Sequence, residues 1–181
     1  MDILNLKLKN ISHFENTSDY LPIITAALIV DMIVLFCIVF EYIEIPSLTE
    51  WYKKFDVFAV LADVLSIVIG VILARFVYSA LFKNYSIGLF LIITCIIQLT
   101  HDLLFAGFFN SVPRYSSAIL DVFKDYANEV GPTILLADAA MMISTVLIAS
   151  IIARWKTNSN IILLVVALYI LPYVLYSIPP L

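Results

Sequence analysis

Asp31, Asp63, Asp102 and Asp138 each interrupt a separate apolar run of the 181-residue chain. A carboxylate inside lipid costs several kcal/mol unless its surroundings compensate, so residues in such positions have few roles open to them. They can keep a proton, meet a cation, bridge helices by hydrogen bonds or ligate a metal. His101 stands beside Asp102, and Thr94, Gln98, His101 and Asp102 follow at i, i+4, i+7 and i+8. That spacing puts them on one polar stripe of a helix, which must face protein or water. Asp138 shares a strip with Met141, Met142, Thr145 and Ala149, and Asp63 borders Ala62, Ser66, Gly70 and Ala74. The small-xxx-small repeat of those four lets helix backbones approach closely in lipid and makes helix-mediated homo-oligomers a further expectation.

The elements that carry these residues follow from composition and run length. With 63% hydrophobic and 13% charged residues and a mean hydropathy of +1.05, the chain belongs in a bilayer. A spanning helix needs about 20 apolar residues. Five stretches meet that length: 20–41, 57–81, 87–109, 132–154 and 160–178. The unbroken runs exclude an outer-membrane barrel, whose segments alternate in polarity every residue over about ten positions. The predicted fold is therefore all-α: a single integral membrane bundle over residues 20–181, preceded by an N-terminal segment 1–19 expected at the membrane interface. Short links near 83–86 and 155–159 predict antiparallel hairpins of spans two with three and four with five. Residues 116–130 place Ile119, Phe123, Tyr126, Ala127 and Val130 on one face, an amphipathic helix expected to lie flat on the membrane. The fifth span carries no acid or base and contains Pro172, so a peripheral place or a partner surface is expected.

Helices that alternate in direction bring Asp63, Asp102 and Asp138 to one depth, about 9–10 Å from the C-terminal-side face, with Asp31 deeper at about 16 Å. Arg75 and Arg154 lie near span ends, where long basic side chains reach back to the interface. Cys37 and Cys95 differ in depth by roughly 14 Å, which excludes a mutual disulfide. Lys and Arg are more numerous on the N-terminal side (Lys7, Lys9, Arg75, Lys83, Arg154, Lys156) than opposite (Lys53, Lys54, Arg114, Lys124). The positive-inside rule thus predicts a cytoplasmic N-terminus and the C-terminus across the membrane. Sequons at Asn10, Asn16 and Asn84 fall on that same cytoplasmic side, where they would go unused. A net charge of −4 with acids gathered in two loops excludes nucleic acid as a partner.

No span contains Lys, so a retinal Schiff base is excluded, and neither GxGD nor HExxH is present. The carboxylates with His101 supply metal-ligand types without a diagnostic spacing, so no metal, cofactor or enzymatic activity is assigned. The residues leave two roles in contention for the cluster of Asp31, Asp63, Gln98, His101, Asp102 and Asp138. One is hydrogen-bonded packing in a structural or interaction protein, and the other is a small proton or cation channel or transporter. HDLLF at 101–105 and VFKDYANEVGPTILLADAAMMISTVLIAS at 122–150 resemble uncharacterised multi-pass membrane proteins encoded by large DNA viruses of eukaryotes. That resemblance implies a component of a virion's internal membrane or of a host internal membrane, with lipid and other membrane or capsid proteins as partners.

Overall fold

The computed structural model describes residues 8–179. Among those residues the chain is all-helical, with helices α1 (Tyr20–Val39), α2 (Pro46–Phe55), α3 (Val57–Leu81), α4 (Ile87–Ser111), α5 (Ala118–Val130), α6 (Thr133–Ile152) and α7 (Thr157–Leu175). Five of them, α1, α3, α4, α6 and α7, are long and apolar enough to cross a bilayer, and the chain is a multi-pass membrane protein. Their bounds follow the apolar runs to within a few residues. Local chemistry sets the starts: the hydroxyls of Ser86 and Ser117 accept from the amides of Leu89 and Leu120, satisfying donors at the first turns of α4 and α5. Gly131, at φ +64°, supplies the left-handed residue that turns the chain from α5 into α6.

Helices α1, α3, α4 and α6 form a ring in which each packs on two neighbours. The hairpin of α3 and α4 is present, but the predicted pairing of the last two spans is not. Helix α7 packs on α1 instead of α6. The reason lies in α1, whose buried residues Ile23, Ala26, Ala27, Leu28 and Val30 point in directions all around the helix. A helix apolar on every side needs partners on every side, whereas α6 already sits between α1 and α4. Pro172 falls in the last turn of α7 and does not end the helix there. Cys37 and Cys95 are free thiols.

Among its described residues 8–16, the N-terminal segment forms neither a regular helix nor a strand. Residues 1–7, Leu4 and Lys7 included, lie outside the described residues. From Leu8 to Asn16 the chain is irregular and docks into the N-terminal end of the bundle, with Ile11, Ser12 and Asp19 buried. Lys9 N–H donates to Ser150 O at 2.9 Å, and the Ser79 hydroxyl donates to Ser12 O at 3.0 Å. Arg75 does not reach the interface. It is 0% exposed, donates to the carbonyls of His13 and Asn16, and stands over the Tyr20 ring at 4.7 Å. Asp19 Oδ2 lies 3.9 Å from the guanidinium, while Asp19 Oδ1 accepts from Lys9 at 2.6 Å. An irregular segment buried in a bundle must have its carbonyls satisfied, and Arg75 provides the donors that no helix ladder supplies. The sequon asparagines Asn10 and Asn16 serve the same segment: each carboxamide oxygen accepts from the amide and hydroxyl of the serine two residues on.

Candidate functional site: an acid-lined cavity beneath two short helices

The opposite end of the bundle is hollow. A cavity of about 940 Å³ lies between α3, α4 and α6 and is roofed by α2 and α5. Its roof was the part least expected from sequence. Residues 46–55, between the first two predicted spans, form helix α2, in which Pro46 starts the helix and Leu48, Trp51, Tyr52 and Phe55 share one face. That face meets the apolar face of α5. Trp51 and Phe123 rings stand 4.8 Å apart, Phe105 of α4 meets Phe123 edge-on at 5.0 Å, and Ser47 N–H donates to Glu129 Oε2 at 3.0 Å. Such aromatic pairs contribute about 0.5–1.5 kcal/mol each beyond their area. Helix α5 is thus amphipathic as expected, but its apolar residues Ile119, Phe123, Tyr126 and Ala127 face the cavity. It does not simply lie on lipid.

The three aspartates predicted at one depth converge here. Asp63 from α3, Asp102 from α4 and Asp138 from α6 all line the cavity, together with Gln98 and His101. Asp63 Oδ2 accepts from Trp51 Nε1 at 2.9 Å. Asp102 Oδ1 accepts from Gln98 Nε2 at 2.7 Å and lies 3.1 Å from His101 Nδ1. Asp102 Oδ2 is buried with no hydrogen-bond partner, and among the described residues none donates to Asp138. Asp31 does not join them. It is fully buried on α1 behind Tyr52, whose hydroxyl donates to its Oδ1 at 2.8 Å. Adjacent residues of α2 therefore hold carboxylates of two different spans, and this clamp fixes the roof to the bundle.

Two phenols outside the spans report on the acids. Burial, then the charges of Asp63 and Asp31, hold the Tyr52 phenol well above its ordinary pKa. Burial, then Asp138, Asp63 and Glu129, push Tyr126 up to about 12. Both remain proton donors at neutral pH, beside carboxylates they can serve. No Lys or Arg is among the residues that line the cavity. The contrast with the other end of the bundle is direct: there Asp19 lies with Lys9 and Arg75, and the buried charges offset one another.

The small-residue stripe of α3 has two uses. Gly70 lies so close to α6 that a Cβ there would stand 2.8 Å from Met142 Cε, and Ala74 is fully buried, so this half is helix packing. Ala62 and Ser66 instead line the cavity, where their small side chains leave it open. The cavity ends at the level of Ile67, Gln98 and Met142. Beyond it Val71, Ala74, Phe90, Val146 and Ala149 fill the bundle to 0–2% exposure. It is a blind chamber. Among the described residues, no three His, Cys, Asp or Glu side chains form a group that could hold a metal ion. Compared with known proteins, the chain matches no family model, no curated protein and no solved structure.

Proposed function

We propose that this multi-pass membrane protein binds a small amphiphilic molecule in the cavity under α2 and α5, its polar end toward the aspartates and its apolar body along the aromatic wall. The observation that carries this reading is the convergence of three carboxylates, without a Lys or Arg, in a mostly apolar chamber. A purely structural cluster needs each buried acceptor satisfied; Asp63 comes near that through Trp51, whereas Asp31, outside the cavity, has Oδ1 on Tyr52 and Oδ2 unpaired. Inside the cavity Asp102 Oδ2 is buried with no partner, and half-buried Asp138 accepts no hydrogen bond from a described residue. A volume of about 940 Å³ is at the upper end of the roughly 300–1,000 Å³ typical of small-molecule sites. Conduction of protons or cations would need a path past Met142, where Val71, Phe90 and Val146 are packed to 0% exposure and the buried polar groups include Thr94, Thr145, Ser150 and Arg75. The structural role in a virion membrane remains a proposal that rests on the resemblance of residues 101–105 and 122–150.

Photolabelling of the purified full chain with a diazirine-bearing alkyl amphiphile tests the reading. We expect saturable labelling of the α2, α4 and α5 peptides that line the cavity, and its loss in Ala106→Trp, which fills the chamber. Labelling confined to outward-facing residues such as Leu65, Ile69 and Ile162 would contradict it.

A further inference from the structure

We propose that the occupant is a lipophilic amine, held as its ammonium form with N–H groups shared between Asp102 and Asp138; this rests on the cavity reading above. The first argument is charge. Three carboxylates line a chamber without Lys or Arg, where His101 beside Asp102 could offset one charge at most, and desolvated acids that lack a counter-charge favour a ligand that brings one.

The second argument is hydrogen bonding. Asp63 Oδ2 already accepts from Trp51, whereas Asp102 Oδ2 is buried with no donor; Asp138, half-buried, accepts from none of the described residues. An unpaired buried acceptor is costly, so the position between α4 and α6 calls for an N–H donor. A quaternary ammonium has the charge but no N–H. A small metal ion would need three ligands around one point, and no such group of His, Cys, Asp or Glu exists among the described residues. A neutral alcohol can donate once but leaves the charge unbalanced.

The third argument is the wall. Phe105, Phe123, Leu135 and Met141 surround the acid end, and aromatic faces favour a nearby cation by about 0.5–2 kcal/mol. Phe58 and Leu103 line the cavity while remaining largely exposed on the bundle, which gives an apolar tail a route from lipid. A hydrophilic cation has no such route.

The test uses the full chain in neutral detergent, with its thermal midpoint followed during titration with dodecylamine, 1-dodecanol and dodecyltrimethylammonium. These share one tail and differ in the head. We expect saturable stabilisation by dodecylamine at concentrations at least ten-fold lower than by either other probe. Asp102→Asn and Asp138→Asn should each weaken amine binding ten-fold or more while leaving dodecanol binding within about two-fold. Asp138→Asn is the safer variant for folding, because its carboxylate holds no other side chain in place. Equal binding of dodecanol and dodecylamine would overturn the amine assignment and leave the cavity reading standing. Equal binding of dodecyltrimethylammonium would overturn the role of the N–H groups. Saturable binding of none of the three would overturn both readings.

Discussion

At the scale of residues, the acids divide by place as well as by depth. Asp31 lies outside the cavity, with its Oδ1 held by the Tyr52 hydroxyl and its Oδ2 buried without a partner. Tyr52→Phe leaves its carboxyl buried without a donor and should destabilise the fold by about 1–3 kcal/mol in a thermal or detergent-unfolding measurement. Replacing both members together, as Asp31→Leu with Tyr52→Phe, should recover most of that loss, since an apolar pair leaves nothing unsatisfied. Tyr126 gives a pH signature. Its phenol is raised from 10.0 to about 12 in the folded chain, so its contribution is complete below pH 10 and disappears as pH rises toward 12. Melting curves across that window should show wild type losing up to about 3 kcal/mol more than Tyr126→Phe. Equal slopes would remove Tyr126 from the neighbourhood of the acids. The convergence of Asp63, Asp102 and Asp138 was legible in the sequence because helix rise converts residue count into depth. The inward turn of Arg75 was not, since nothing local to residue 75 announces that the carbonyls of residues 13 and 16 will need its donors.

At the scale of elements, the spans were readable because lipid imposes a length, and the apolar runs record it within a few residues. Helix α2 is marked in the sequence by Pro46 and the apolar positions 48, 51, 52 and 55, but three acids and two lysines nearby give the segment the look of a solvated loop. Partner choice was less visible still: short links placed α6 beside α7, but the burial needs of α1 took α7 away. Because α2 and α5 hold each other through Trp51, Phe123, Ser47 and Glu129, they should open as one unit. Hydrogen exchange of Trp51→Ala should rise in α5 as well as in α2, with α7 unchanged. A rise limited to α2 would show the two helices to be independent. The close approach at Gly70 offers a second check. Gly70→Val should cost about 1–3 kcal/mol by driving Met142 outward, and Met142→Ala should restore much of it.

At the scale of the whole molecule, the two ends of one bundle treat buried charge in opposite ways. The N-terminal end neutralises Asp19 with Lys9 and Arg75 and is packed shut by the irregular segment that precedes α1. The other end holds three carboxylates around an open chamber with no Lys or Arg in its wall, and His101 beside Asp102. A closed end and a hollow end describe a receptacle rather than a pore, and liposomes containing the protein should show no proton or cation flux above that of empty vesicles. Trp51 sits in the roof with its indole N–H on Asp63, so it reports directly on occupancy. In a Trp155→Phe background, the decisive measurement is Trp51 emission during titration of the purified chain with dodecylamine and, in parallel, with 1-dodecanol. Saturation near one equivalent with at least one of them, abolished by Ala106→Trp, is the predicted result; a featureless linear response to both, the same in Ala106→Trp, would contradict the account.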